Sequence, residues 1–121
     1  MKTIKKNSDF IRVYKNGKYF AGNILSLHAL KCDPGDGAIG VTVGKKAGKS
    51  VRRNRLKRLI KENYRQMEAN ADRGFLFVFA VRARRETELP DYYEIRREMR
   101  HLLSRAGALQ QQKWENSQSG V

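Results

Sequence analysis

The sequence predicts an α/β (α+β) sandwich in the order α-β-β-α-β-α, with helices packed on one small sheet. Three observations carry this expectation. Residues 25–29 and 38–44 alternate apolar side chains with polar or small ones, the period of two of a half-buried strand. Residues 75–81, Phe-Leu-Phe-Val-Phe-Ala-Val, form an unbroken apolar run, as in a central strand covered on both faces. Residues 50–69 and 91–106 repeat apolar side chains at helical spacing.

The first helix is expected over about 8–16, with Ser8 as its cap and Gly17 as a left-handed stop. Phe10, Val13 and Tyr14 share one of its faces. A strand over 19–31 follows, with Leu25, Leu27 and Ala29 alternating against Ser26 and His28. Asp33-Pro34-Gly35-Asp36-Gly37 is a strong turn signal. The next strand, 38–44, places Ile39, Val41 and Val43 on one face. Its other face holds Ala38, Gly40, Thr42 and Gly44, small enough to let another element approach closely. The long helix from Ser50 to about Ala69 carries an apolar stripe of Leu56, Leu59, Ile60, Tyr64 and Met67. With the strands at 38–44 and 75–81 it forms a βαβ unit. Pro90-Asp91 opens the last helix, in which Asp91 and Glu94 have the spacing of a capping box. Its inner face is Tyr92, Ile95, Met99, Leu102, Leu103 and Ala106, and Gly107 ends it. Residues 1–107 read as one domain. Residues 108–121 read as a polar, low-complexity tail, expected to be disordered despite Trp114.

Charge points to a partner. Lys and Arg total 26 against 12 Asp and Glu, a net charge of +14 on 121 residues. Such a charge repels itself in a compact fold and is best tolerated beside a polyanion, nucleic acid first and an anionic membrane surface second. One cysteine, Cys32, excludes an internal disulfide and fits a reducing compartment. The basic start has no apolar run behind it, so no secretory signal is expected, and no stretch approaches the roughly 18 apolar residues of a membrane span. A soluble cytoplasmic protein is the expectation. The charge is also unevenly placed. Residues 45–65 hold ten basic side chains and one acid, Glu62, a net +9. Residues 1–20 add +5, and the rest of the chain sums to zero.

On the long helix Asn54, Arg58, Lys61 and Arg65 lie opposite the apolar stripe, with Arg55 and Lys57 at its border. Lys49, Arg52 and Arg53 crowd the helix start, where the macrodipole disfavours cations by roughly 0.3–1 kcal/mol each. Unpaired N–H groups there also need acceptors. A phosphate answers both demands, and Gly44 and Gly48 would let the backbone approach it. The bland alternative is a solvated basic helix face, which the cation-crowded helix start argues against.

Lys45-Lys46-x-Gly48 followed by Arg53-Asn54-Arg55-x-Lys57-Arg58 resembles the "RNR" signature of the bacterial ribonuclease P protein family. The similarity extends to Asn7-x-Asp9-Phe10-x-x-Val13-Tyr14-x-x-Gly17 and to Ile39-Gly40-Val41-Thr42-Val43, and covers residues 5–106. It implies a ribonucleoprotein endonuclease that removes the 5′ leader from precursor tRNA, with the active site in its RNA subunit. The protein would grip that RNA through Lys45, Lys46, Lys49, Arg52, Arg53, Asn54, Arg55, Lys57, Arg58, Lys61 and Arg65. It would bind the leader in a cleft on the sheet, at Phe10, Tyr14, Ser26 and His28, with Lys15, Lys18 and Arg82 along the leader phosphates. The resemblance also implies a left-handed crossover around the RNR helix, and Mg²⁺ in the assembled enzyme held mainly by RNA rather than by this chain. The expected assembly is one protein with one RNA, the free protein being a monomer. The sequence departs from the family pattern in three places: Lys61 stands where Arg is common, His28 where Tyr is frequent, and Val81 where a second basic residue is frequent.

No active site of the chain's own is legible. His28 and His101 lack a carboxylate or Cys at metal-ligand spacing. Glu94 and Glu98 interleave with Arg97 and Arg100 and are expected to form weak surface pairs. Cys32 reads as a plain strand-end residue. The rival readings are a ribosomal or other structured-RNA-binding protein, a DNA-binding protein, for which the paired helices of a helix-turn-helix are missing, and a nuclease acting alone, for which a carboxylate cluster is missing.

Overall fold

The computed structural model describes residues 1–82 and 89–109. The expected tail from residue 110 onward, with Trp114, lies outside the described residues. The elements are α1 (Asn7–Asn16), β1 (Lys18–Ala21), β2 (Leu25–Lys31), β3 (Ala38–Thr42), α2 (Ser50–Met67), β4 (Phe75–Val81) and α3 (Tyr92–Arg105). They form one four-stranded sheet in the order β1-β2-β4-β3. β2 pairs antiparallel with both β1 and β4, and β3 runs parallel to β4. β4 is therefore internal, as its apolar run predicts, and Phe75 to Phe79 are all buried.

The order is α-β-β-β-α-β-α, one strand more than expected. The single strand read over 19–31 is a hairpin, broken at Gly22–Ile24. Gly22-Asn23 is a turn signal in its own right. Lys18, at the start of β1, belongs to that hairpin.

The sheet separates two cores. On one face Leu25, Leu27, Ala29, Ile39, Phe77 and Phe79 pack against Ile60, Tyr64 and Met67 of α2 and Ile95, Met99, Leu102 and Leu103 of α3. On the other face Leu76 and Val78 pack against Val13 of α1, with Ile4, Phe10, Leu30 and Ala38 around them. The small face of β3 serves the expected purpose: a Cβ at Gly40 would lie 2.5 Å from the Phe10 ring. Ala108 is 1% exposed and its carbonyl accepts the Asp72 N–H at 2.7 Å, so the folded unit extends past the expected boundary at 107.

Helix ends follow sequence in part. The Asp91–Glu94 capping box is present in both directions, and Gly107 takes a left-handed φ of 72°. At α1 the expectation fails. Lys6, not Ser8, is the N-cap, with no side-chain cap bond, and Gly17 is extended at φ −79°. Glycine is needed at 17 because a Cβ would meet the carbonyl oxygens of Val13 and Ala29 at 2.6 and 3.1 Å. α2 ends at Met67, and residues 68–70 tighten into a 3-10 turn.

The acids of α3 are engaged with backbone rather than with arginines. Glu94 serves the capping box, and Glu98 accepts from Ile24 and Leu25 N–H groups. Among the described residues the one ion pair within 4 Å joins the Met1 amino group to Glu68, at 3.8 Å. The surface pairs expected with Arg97 and Arg100 do not form. Asn63, which shows no apolar signal, is fully buried, and its Nδ2 donates to the Leu59 and Tyr92 carbonyls, tying α2 to α3.

Candidate nucleic-acid interface

The interface begins at the start of α2. No acid occupies the first turn, and Lys49, the N-cap, makes no side-chain cap bond. The preceding 3-10 turn, Lys45–Ala47, is pinned from below where Ala47 packs with Val43 and Leu56. Gly48 has φ +120°, a conformation that disfavours any Cβ. Arg52 and Arg53 are not free at the helix end. Arg52 Nε donates to the Ala47 carbonyl at 2.9 Å, and Arg53 Nε to the Gly48 carbonyl at 3.2 Å. Arg53 Nη2 also reaches Ser50 Oγ. The cation crowding read from sequence is thus partly relieved inside the chain. Lys45, Lys46 and Lys49 remain exposed around it.

Beyond the first turn the stripe is as expected. Asn54, Arg55, Arg58, Lys61 and Arg65 are exposed, while Lys57 is half-buried. Asn54, Arg58, Lys61 and Arg65 recur every three to four residues, a line about 16 Å long at 1.5 Å per residue. The Arg58, Lys61 and Arg65 side chains are exposed, so each charge meets solvent or a ligand.

A second region lies on the opposite face of the sheet. By register, Tyr19, His28, Val78 and Gly40 form one row on that face, and Ala21, Ser26, Ala80 and Thr42 the next. Tyr14 Oη is 3.1 Å from Thr42 Oγ1, and its ring meets His28 edge-on at 4.8 Å. Tyr19 lies 4.9 Å from His28 on the other side. Three aromatic rings therefore border a row of small residues. Tyr14 is 40% exposed and Tyr19 55% exposed, which leaves ring surface for a ligand. Burial pushes the His28 imidazole below its ordinary pKa, so it is neutral at pH 7, and its Nδ1 is buried without a partner.

The expected leader residues divide. Tyr14 and His28 come together as predicted, and Ser26 is on their face but only 6% exposed. Phe10 is half-buried on the same face of the sheet, where it packs against Gly40 and Ile4. Lys18 pairs with Ala29, which puts it on the α2/α3 side of the sheet rather than beside Tyr19. Lys15 is exposed in the last turn of α1. Arg82 is exposed, and its Nη1 donates to the Gly22 carbonyl at the hairpin turn. Tyr19 was missed from the sequence because its place depends on the hairpin.

No three His, Cys, Asp or Glu side chains gather into a metal-binding group among the described residues. Burial first, then the Asp36 carboxylate, push the Cys32 thiol up, away from nucleophilic thiolate. None of the described helices is long and apolar enough to cross a membrane.

A family model described as Ribonuclease P matches residues 1–107. The chain belongs to the ribonuclease P protein family. Among its relatives, the ribonuclease P protein component of Clostridium botulinum (strain Langeland) is 42% identical over 105 residues, covering 86% of this chain and 93% of the relative. That of Clostridioides difficile is 44% identical over 82 residues, covering 67% and 72%. Among solved structures, the ribonuclease P protein of Thermotoga maritima superposes with a TM-score of 0.77 at 28% identity, covering 87% of this chain and 97% of that one. The Staphylococcus aureus protein gives 0.75 at 25% identity, covering 90% and 98%.

For a ribonuclease P protein carrying +14, the α2 region implies a specific anion effect on stability. A ligand that binds only the folded state stabilises it by mass action. Sulfate, phosphate or a short polyanion is expected to raise the melting temperature well beyond chloride of equal ionic strength. Equal melting curves in all these salts would leave only charge screening.

Proposed function

We propose that the chain uses its two faces for two RNAs: α2 grips the ribonuclease P RNA, and the Tyr14–His28–Tyr19 strip receives the 5′ leader of precursor tRNA. As a family member the chain is the accessory protein subunit of an endoribonuclease, supporting its RNA subunit in tRNA 5′ processing. The observation that carries the division of labour is the placement of the exposed cationic line and the exposed aromatic rings on opposite sides of one sheet. A line of exposed cations with Glu62 as its one acid suits phosphates. Exposed rings suit unstacked bases of a single strand.

In this reading residues 1–107, with Ala108 and Leu109 closing the fold, act as one domain in the cytoplasm, as a monomer when free and with one RNA when assembled. Mg²⁺ ions are held by RNA phosphates, and the α2 cations neutralise neighbouring backbone charge. The test is reconstitution. Purified chain is added to a bacterial ribonuclease P RNA at low Mg²⁺ with precursor tRNA. Faster release of the leader at the mature 5′ end is the expected result. Tight RNA binding without stimulated cleavage would instead favour a structured-RNA-binding protein with no part in processing.

A further inference from the structure

The β1–β2 turn is held from the far side of the sheet. Glu98, in the middle of α3, directs one oxygen, Oε1, at two successive backbone N–H groups, Ile24 at 2.7 Å and Leu25 at 2.6 Å. Hydrogen bonds this short to an ionised acceptor belong to the stronger class. The turn has no room for a side chain at Gly22, where a Cβ would strike the Glu98 carboxylate. Two arginines take the carbonyls of the same turn. Arg105 Nη1 donates to Ala21 at 3.1 Å, with its guanidinium 5.6 Å from the Phe20 ring centre, and Arg82 Nη1 donates to Gly22.

What hangs on this turn is the edge strand. β1 has four residues and pairs only with β2. Its side chains alternate: Phe20 faces α3 and Arg105, whereas Tyr19 faces His28 on the opposite side. A short edge strand has little pairing of its own to fix its height and twist. The α3 contacts supply that constraint, and Tyr19 moves with them.

We propose that Glu98 is a positioning residue of the leader strip, acting through the β1–β2 turn to fix Tyr19 against His28. This inference rests on the leader reading given under the proposed function. It assigns a role in substrate choice to a carboxylate on the face of the sheet that no leader base touches.

The test uses the holoenzyme assembled on ribonuclease P RNA. Three variants are compared, Glu98→Ala, Glu98→Gln and Gly22→Ala, with Tyr14→Ala in parallel. Binding is measured for a precursor tRNA with its full leader and for one cut to a single leader nucleotide. Glu98→Ala and Gly22→Ala are expected to weaken the full-leader substrate by about three- to tenfold and to spare the short one. Glu98→Gln keeps an oxygen where both N–H groups point and is expected to stay within about twofold of the parent. Should Glu98→Ala not fold, Gly22→Ala, which displaces the carboxylate from the turn side, decides with Glu98→Gln. Equal losses on both substrates, or a glutamine variant as weak as the alanine one, overturn the inference. If Tyr14→Ala shows leader-dependent loss and neither Glu98→Ala nor Gly22→Ala does, the inference alone falls. If Tyr14→Ala shows none, the leader reading falls and takes the inference with it.

Discussion

Replacing Arg55, Arg58 and Lys61 together by alanine is expected to weaken binding to ribonuclease P RNA by about 100-fold at 0.15 M salt. Each phosphate-bound cation contributes about 0.7–0.9 to the slope of log K against log salt, so three flatten it by about 2–2.7. All three are exposed on α2, clear of its buried stripe, and substitution there costs little stability. The loss therefore appears in binding, as a weaker and less salt-dependent interaction, while the melting temperature stays near that of the parent. Arg52→Ala behaves differently. Its guanidinium bonds the Ala47 carbonyl, so its removal loosens the turn before α2 and lowers thermal stability. A salt titration of the triple variant with an unchanged slope would show that the α2 line does not touch phosphates.

Tyr14→Ala is expected to weaken precursor tRNA by roughly 1–3 kcal/mol, the value of one base stacked on one ring, or about five- to 150-fold. Mature tRNA is spared, and the loss disappears when the leader is cut to one nucleotide. Tyr19→Ala follows the same pattern, because its ring is exposed on the same side of the sheet and touches His28. Phe10→Ala does not. Phe10 packs on Gly40 and Ile4, so its truncation opens the smaller core and costs stability whichever substrate is present. Equal losses by Tyr14→Ala on both tRNAs would place Tyr14 with Phe10 as a packing residue.

This separation of Phe10 from Tyr14 shows where a helical period stops being informative. The two lie four residues apart and share a face, so spacing treats them alike. Only the neighbour differs: Gly40 leaves a depression for the Phe10 ring, whereas Thr42 meets the Tyr14 hydroxyl at its edge. Proximity along the chain likewise pairs Glu98 with Arg97 and Arg100. The carboxylate instead bonds backbone N–H groups 73 and 74 residues away, whose free donors at a turn outcompete exposed ion pairs.

The sequence by itself determined the features whose causes are local. The apolar run of β4, the stripe of α2, the Asp91–Glu94 box and the cationic line from Asn54 to Arg65 depend on residues within a turn or two of one another. The family signature reads the same way, since it lies mostly along one helix. Tertiary structure decided what depends on partners distant in the chain. It paired β2 on both edges and left β1 at the edge of the sheet. It turned Lys18 away from the leader strip and Tyr19 toward it, because strand pairing sets which side chains share a face. It buried Asn63 between two helices, because a buried polar group goes to whatever acceptor the fold brings near.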